Sequence, residues 1–323
     1  MSGQIVSAAF RPHPLLRNPH WQTIVAGPLR PIPRLDLRIE RWERPDGDFV
    51  DLGWFGASQG RLAVLVHGLT GGFESKYLRA TARRLLAAGW AGVILQLRGA
   101  GMQPNRLAPN YHQGDTRDLR ALLERLRHEN PAAELAVLGW SLGGNIVLKA
   151  AGEAGADLPA DRVAAASVPF ELAPCAERMR RGVSRIYQRR LLGQLKAAAA
   201  RKMAVMTMPA GVDSAATLQA PDFFAFDDAW TAPLNGFADA ADYYRRTECG
   251  QFLKDIRRPT LIVHSRDDPF MTPDMVPGPE ALAPSVRLEL AERGGHVGFI
   301  AADRWGRPEF WLERRLVDWI VSP

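Results

Sequence analysis

The stretch Leu135-Ala-Val-Leu-Gly-Trp-Ser-Leu-Gly-Gly144 decides the fold of this chain. Its apolar beginning is typical of a buried strand, and residues 139–143 fit the G-x-S-x-G pattern of a strand that turns at once into a helix. Glycines are needed two residues either side of the serine because side chains there would collide across the turn. The turn places Ser141 at a helix N-terminus, where free N–H groups favour developing negative charge. Ser141 is therefore a candidate nucleophile, although a glycine-rich turn with a bystander serine would show the same pattern.

Apolar runs typical of strands covered on both faces recur along the chain and alternate with segments of helical spacing. This alternation predicts an α/β fold, with a mostly parallel sheet and helices on both faces. Two antiparallel edge strands are predicted ahead of it, at residues 41–44 and 49–54. The predicted parallel strands are 62–66, 91–95, 135–138, 163–167, 259–265 and 286–290, and the predicted helices are 76–88, 115–128, 145–152, 176–188, 191–203 and 310–321.

The domain organisation predicted from these patterns is a single domain over residues 1–323. Residues 1–40 are rich in Pro and Arg and lack a usable periodicity, so we expect an N-terminal arm that lies over the domain. Regularity also breaks between residues 169 and 258, and an insertion of this length between strands often forms a cap over the ligand-binding edge of the sheet. Its methionines and aromatic residues suit an acyl chain, although ordinary core packing explains most of the aromatic residues equally well.

Composition allows a full-sized core, since 46% of the residues are hydrophobic. The two cysteines, Cys175 and Cys249, do not form a disulfide framework, and we expect free thiols in a reducing compartment. No signal peptide and no apolar run of membrane-spanning length are evident. These features predict a soluble, cytoplasmic protein.

The formal net charge of +6 raises the question of a nucleic-acid partner. The arginines are spread along the chain without an accompanying RNA- or DNA-binding signature, so no such partner is predicted. One basic concentration lies at residues 178–202. A solvated helix face explains it, and weak contact with an anionic membrane surface is the alternative.

A serine hydroxyl becomes an effective nucleophile when a base takes its proton, and that base needs an acid to hold its tautomer. Asp267 and Asp268 directly follow the predicted strand 259–265, and His296 lies in a glycine-flanked loop after the last predicted strand. The order Ser, Asp, His is that of the α/β-hydrolases. Asp268 occupies the expected register of the acid, and Asp267 remains the alternative.

Acyl transfer also requires N–H donors for a tetrahedral oxyanion. The backbone amide of Leu142 follows the nucleophile, and the Leu69 amide lies in the loop after the first parallel strand. His67 in that loop is expected to shape it rather than to react. No metal or cofactor is predicted, because the chain lacks H-E-x-x-H, C-x-x-C and G-x-G-x-x-G patterns.

These motifs, with others spread over nearly the whole chain, resemble the YheT-like branch of the α/β-hydrolases. That branch includes bacterial esterase-like proteins, plant EMB8-like proteins and yeast medium-chain ethyl-ester synthase/esterases. The resemblance implies Ser141, Asp268 and His296 as a charge-relay triad, and it leaves the substrate undefined. It rests on Asn18-Pro-His-Trp-Gln-Thr23, His67-Gly-Leu-Thr-Gly71, Arg98-Gly99, Gly139-Trp-Ser-Leu-Gly-Gly-Asn145, Phe226-Asp-Asp228, Asp242-Tyr-Tyr244, Asp267-Asp-Pro-Phe-Met271 and Gly294-Gly-His-Val-Gly-Phe299.

The sequence thus predicts a serine hydrolase that cleaves small-molecule carboxylic esters, with short- to medium-chain acyl groups favoured. The same machinery could instead pass the acyl group to an alcohol. A non-catalytic binding protein on the same fold is the alternative from a different class, since fold alone does not dictate function.

Overall fold

The structure is a computed structural model and describes residues 2–57 and 60–322. No helix in this described part is long and apolar enough to span a bilayer. The strands are β1 (Gln4–Ser7), β2 (Arg38–Glu43), β3 (Phe49–Phe55), β4 (Arg61–Val66), β5 (Ala91–Gln96), β6 (Glu134–Trp140), β7 (Arg162–Ala166), β8 (Thr260–Ser265), β9 (Val286–Ala291), β10 (Ile300–Ala302) and β11 (Pro308–Phe310). The helices are α1 (Pro19–Leu29), α2 (Lys76–Ala87), α3 (Arg117–Glu129), α4 (Leu142–Ala154), α5 (Leu172–Met179), α6 (Ser184–Met203), α7 (Ser214–Gln219), α8 (Phe223–Phe226), α9 (Ala232–Leu234), α10 (Ala240–Thr247) and α11 (Trp311–Val321).

The large sheet of the described residues has nine strands in the order β1-β9-β8-β7-β6-β4-β5-β3-β2. The first seven in this order run parallel, and β3 and β2 continue the sheet antiparallel at one edge. Parallel neighbours need long crossover connections, which the helices provide. The predicted α/β fold with a mostly parallel sheet is confirmed. Of the two antiparallel strands, β3 covers the predicted residues 49–54, whereas β2 begins three residues before the predicted start at residue 41 and ends at Glu43.

Helices cover both faces of this sheet and form a core on each side. Leu122 of α3 and Ile146 of α4 pack on one face, and Leu85 of α2 and Leu316 of α11 pack on the other. All four side chains are fully buried. Because both faces are covered, the inner strands need continuous apolar sequences rather than alternating ones, which explains the runs seen in the sequence.

The N-terminal segment contains more regular structure than its sequence predicted. Strand β1 extends the sheet by pairing parallel with β9, and α1 follows as a helix of 11 residues. Helix α1 is only weakly amphipathic, because it buries just Gln22 and Ala26 and contains Gly27 and Pro28. A helix of this kind has no strong 3.6-residue pattern, so periodicity did not reveal it.

The segment between β7 and β8 holds helices α5 to α10. The prediction of helices over 176–188 and 191–203 is wrong in its boundaries. The first break falls at Gly182, whose φ of 53° is unfavourable for other residues, and α6 then runs unbroken for 20 residues. Lys202 near the end of α6 is buried and donates to Asn105 Oδ1 at 2.6 Å and Asn110 Oδ1 at 2.5 Å. Burial among these neutral acceptors lowers the pKa of Lys202 to about 8.

Candidate active site

Ser141 lies in a tight turn between β6 and α4, which we call the serine turn (residues 139–143). Its φ of 53° and ψ of −123° are strained for a residue with a side chain. A Cβ atom on Gly139 would lie 2.3 Å from the carbonyl oxygen of Gly143, and one on Gly143 would lie 2.4 Å from that of Val66. The glycines are therefore required for the steric reason that the sequence suggested.

His296 and Asp268 form a hydrogen-bonded chain with this serine. The His296 Nε2 atom lies 2.9 Å from Ser141 Oγ, and its Nδ1 atom lies 2.8 Å from Asp268 Oδ2. The Asp268 side chain is buried, and its other oxygen accepts from the Phe270 amide at 2.9 Å. A proton on Nδ1, held by the carboxylate, leaves Nε2 free to accept the serine proton.

Asp267 points elsewhere. Its Oδ1 atom accepts from the amides of Gly294 and Gly295 at 2.8 and 3.0 Å, at the start of the loop that carries His296. Burial raises the pKa of this carboxyl above its ordinary value, and the two amides partly offset that effect. Of the two neighbouring aspartates, it is Asp268 that contacts the imidazole.

The loop after β4 lies beside the serine turn and is shaped by His67. The buried ring donates from Nδ1 to the carbonyl oxygen of Gly68 at 2.7 Å and accepts at Nε2 from the amide of Leu97 at 3.1 Å. Burial lowers the pKa of His67 to about 4, so the ring is neutral. Both nitrogens are occupied by the backbone, as expected for a histidine that shapes the loop.

The Leu69 amide of this loop has no hydrogen-bond partner among the described residues. The Leu142 amide begins α4, where first-turn N–H groups lack partners within the helix. Both residues line the same cavity as Ser141. The amides on either side of Leu69 are occupied: Gly68 donates to Tyr77 Oη, Thr70 to Tyr111 Oη and Gly71 to the Gly68 carbonyl oxygen.

Residues of α1 hold the loop that carries His296, which we call the histidine loop (residues 294–300). The Thr23 hydroxyl accepts from the His296 amide at 2.9 Å. The buried Gln22 side chain accepts from the Ile300 amide at 2.6 Å and donates to the Ile300 carbonyl oxygen at 3.0 Å. Sequence reasoning assigned no physical role to residues 18–23. Asn18 followed by Pro19 is a helix-start signal that would have revealed α1, since Asn18 caps it.

Close packing and a buried ion pair tie α1 further to the histidine loop. A Cβ atom on Gly298 would lie 2.5 Å from the carbonyl oxygen of Gln22, so only glycine allows this approach. Arg30 donates to the Val297 carbonyl oxygen at 3.0 Å, and its Nε lies 2.7 Å from Glu313. The position of the histidine is thus set by the N-terminal segment as well as by the sheet.

An aromatic ring also fixes the plane of the imidazole. The Phe270 ring stacks on His296 with centroids 3.9 Å apart and an interplanar angle of 7°. Tyr187 of α6 packs against the outer side of Phe270 at 5.2 Å. Phe270 belongs to one of the motifs that carry the family resemblance, but nothing in the sequence indicated that it would contact the histidine.

Ser141 and His296 open into a cavity of about 1090 Å³ roofed by α5, α6 and the segments that follow. Cys175 also lines it; both cysteines are free thiols, and desolvation raises the pKa of Cys175 to about 12. The walls of the cavity are largely apolar. They include Leu172, Met179, Leu191, Leu195, Phe223 and Trp230.

One carboxyl group is buried in the wall of this cavity. Asp227 accepts from the hydroxyls of Thr231 at 2.6 Å and Tyr244 at 2.7 Å. Burial raises its pKa to about 6, and the two hydrogen bonds oppose that shift. The Asp227 motif and the Tyr243–Tyr244 pair are thereby joined as one hydrogen-bonded unit of the roof.

The serine turn at the carboxyl edge of a parallel sheet, facing an acid and a histidine, defines a hydrolase architecture. A family model described as the alpha/beta hydrolase fold matches residues 63–303. The chain belongs to the alpha/beta hydrolase fold family.

Individual relatives are consistent with this assignment. The chain is 40% identical over 320 residues to the Escherichia coli (strain K12) protein named "Putative esterase YheT", covering 98% of this chain and 94% of that protein. It is 27% identical over 267 residues to the Saccharomyces cerevisiae protein named "Medium-chain fatty acid ethyl ester synthase/esterase 2", covering 75% of this chain and 58% of that protein. The resemblance to the YheT-like branch is confirmed.

A solved structure shares the fold at low sequence identity. The esterase Pf2001 of Pyrococcus furiosus superposes with a TM-score of 0.52 at 14% identity, covering 91% of this chain and 90% of that one. At this identity the match supports the fold alone.

Proposed function

We propose that this protein hydrolyses carboxylic esters through an acyl-serine intermediate. The observation that carries the proposal is the hydrogen-bonded chain from Ser141 through His296 to Asp268 at the floor of an apolar cavity. This arrangement of nucleophile, base and orienting acid is the one that activates the serine in Ser-His-Asp hydrolases. The relative named as an esterase, which matches nearly the whole chain, supports the same reaction class.

In the first half of the reaction, Ser141 Oγ attacks the ester carbonyl carbon while His296 Nε2 takes the hydroxyl proton. The negative charge that develops on the carbonyl oxygen is stabilised by the free amides of Leu69 and Leu142. His296 then gives its proton to the departing alcohol as the carbon–oxygen bond breaks. Asp268 remains ionised, holds the ring and stabilises the imidazolium.

In the second half, water takes the place of the alcohol. His296 removes a proton from water, the hydroxide attacks the acyl-serine, and the returned proton restores the Ser141 hydroxyl as the acid leaves. The apolar walls of the cavity favour an acyl chain of short to medium length over a bulky polar acid. The proposed substrate is therefore a small ester, and the proposed steps use no cofactor.

Transfer of the acyl group to an alcohol is the second candidate. It is favoured by the name of the yeast relative, which describes both synthesis and hydrolysis of ethyl esters. The two reactions share the acyl-serine and differ only in which acceptor attacks it. Products formed from one ester with and without added ethanol or glycerol separate them.

The test of the proposal is turnover of p-nitrophenyl esters from acetate to palmitate by the wild type and by Ser141→Ala. We expect a maximum at one chain length and loss of turnover in the variant with folding intact. No turnover at any length by a folded wild-type protein would contradict the enzyme proposal and would favour a binding protein on the same fold.

A further inference from the structure

Helix α1 turns an apolar side to solvent. It contains no Asp, Glu, Lys or Arg, and its Trp21 and Ile24 side chains are 56% and 44% exposed. Residues three apart lie on the same side of a helix. The opposite side of α1 buries Gln22 and Ala26 under the histidine loop. This helix is therefore packed on one side only, and its outer side is apolar and uncharged.

The first half of α6 lies directly beside α1, since the Nδ1 atom of His20 and the hydroxyl of Tyr187 are 3.0 Å apart. Helix α6 contains arginines and lysines but no acidic residue. Arg185 and Arg189, one turn apart, are exposed, and neither forms an ion pair within residues 2–57 and 60–322. Ile186 lies next to them and is 63% exposed.

Two of these side chains lie at the entrance of the catalytic cavity. Ile24 of α1 and Ile186 of α6 both line it, and each is also exposed to solvent. We call these two residues, together with the exposed side chains next to them on the same helices, the mouth face. It consists of Trp21, Ile24, Arg185, Ile186 and Arg189.

The mouth face includes only two of the basic residues in the concentration at residues 178–202. Arg180 and Arg181 are paired with Glu177 at 3.0 and 2.7 Å, so their charge is partly neutralised. Lys202 is buried under the roof of the cavity. Arg185 and Arg189 instead flank the exposed Ile186, and Arg189 lies three residues after it, on the same side of α6.

We propose that the mouth face docks on an anionic lipid bilayer. Tryptophan and aliphatic side chains on one side of a helix suit insertion at the boundary between headgroups and acyl chains. Arginines beside them are attracted by anionic headgroups. Both features occur among the exposed side chains of the mouth face, and no acidic side chain of α1 or α6 opposes them.

The location of the cavity favours a bilayer over an acidic protein or a second copy of this chain. The exposed apolar side chains at the entrance are continuous with the apolar walls inside it. A lipid ester leaving the membrane would then pass from acyl chains to the cavity without crossing water, which is the costly step for apolar groups. The choice of a bilayer as the partner rests on the proposed ester substrate, whereas vesicle binding itself is measured separately from turnover.

The experiment is sedimentation of the full chain with vesicles of phosphatidylcholine alone and of phosphatidylcholine with phosphatidylglycerol, at low and high salt. We expect binding to the anionic vesicles only, weakened by salt because screening reduces the attraction of the arginines. Ser141→Ala should bind like the wild type, so that failure of docking and failure of catalysis are observed separately.

Two variants divide the contributions. The double variant Arg185→Gln/Arg189→Gln should lower partitioning roughly 25-fold, since each basic residue near an anionic surface contributes about a fivefold factor. Its turnover of a soluble ester should be unchanged, because neither arginine lines the cavity. Trp21→Ser should weaken binding at both salt concentrations, because it removes apolar contact rather than charge.

The matched control is Arg83→Gln/Arg120→Gln, which removes the same charge from exposed arginines of α2 and α3. Equal losses in the control and in the α6 variant would show that net charge alone drives binding, and would overturn the proposal. Absence of binding to anionic vesicles would also overturn it. A concentration-dependent dimer that Trp21→Ser abolishes, measured by sedimentation velocity, would assign the mouth face to a second copy instead.

Discussion

The serine turn and the histidine loop are in contact, since Ser141 Oγ and His296 Nε2 lie 2.9 Å apart, yet different parts of the chain hold the two segments in place. The serine turn is fixed by its own glycines and by the adjacent β4, so nearly every constraint on it lies in neighbouring strands. The histidine loop is fixed by Thr23 and Gln22, which precede their partners by 273 and 278 residues. One half of the catalytic centre is thus built locally, and the other depends on the N-terminal segment.

This difference shows that a motif can be complete in sequence while its support lies elsewhere. The glycine pattern around Ser141 is enough to predict the tight turn, because such a turn excludes residues with larger side chains. Gly295 and Gly298 indicate only that some other part of the molecule approaches closely, and the structure shows that this part is α1. Substitutions in the serine turn should therefore mainly lower the free energy of unfolding, whereas substitutions at the supports of the histidine loop should mainly lower kcat.

The largest expected effect separates the two aspartates beside the histidine loop. Asp268→Asn should lower kcat by roughly 10³–10⁴-fold, because an amide no longer holds the reactive tautomer of His296. Asp267→Asn keeps an oxygen acceptor for the amides of Gly294 and Gly295 and should lower kcat less than about tenfold. Steady-state kinetics on one p-nitrophenyl ester decides between them. Equal losses would contradict the assignment of Asp268 as the acid.

A substitution of a glycine in the serine turn should destabilise the folded protein. Gly143→Ala places a Cβ atom 2.4 Å from two backbone oxygens, which cannot move cheaply, and should cost about 4 kcal/mol or more of the free energy of unfolding. Gly193→Ala in α6 is the control: its Cβ atom meets nothing within 4 Å and should stabilise by up to about 1 kcal/mol. Urea denaturation measures both. A Gly143→Ala protein as stable as the wild type would show that the turn is not sterically constrained.

The roof adds a third region, whose stability should depend on pH. Burial raises the pKa of Asp227 to about 6, so the folded state binds its proton more tightly than the unfolded state does. Stability relative to Asp227→Asn is therefore highest below about pH 4 and falls as the pH rises through 6, by about 3 kcal/mol in total. Thermal unfolding of both proteins across this range checks the sign. A gap between them that does not change with pH would contradict a buried, ionising carboxyl.

The smallest effect should be in the contact between α1 and the histidine loop. Thr23→Val keeps the shape of the side chain but removes the acceptor for the His296 amide, and kcat should fall roughly tenfold with KM little changed, because the imidazole is displaced. Thr23→Ser restores the hydroxyl and should restore kcat. If serine and valine behave alike, the hydroxyl has no role in positioning the histidine.

The parts of the fold that the sequence predicted are those with dense local constraints. The buried parallel strands needed continuous apolar runs, and the turn around Ser141 needed its glycines, so both were evident. His296 and Asp268 were predicted from their order and from their places after β9 and β8. The contacts between them are reported by the structure.

Other parts depend on partners far along the chain. Helix α1 has little periodicity because it buries only two side chains, and its role exists only once the histidine loop is folded against it. The break before α6 rests on the positive φ of Gly182, which its neighbours in sequence do not signal. Phe270 contacts His296 only through tertiary folding.

The proposed reaction depends on Ser141 being a nucleophile that His296 activates. The most direct measurement is the intact mass of the protein after treatment with a fluorophosphonate, followed by peptide mapping. We expect one phosphonyl group, attached to Ser141, in the wild type and none in Ser141→Ala. A folded wild-type protein that remains unlabelled, or a label that maps to another residue, would contradict it.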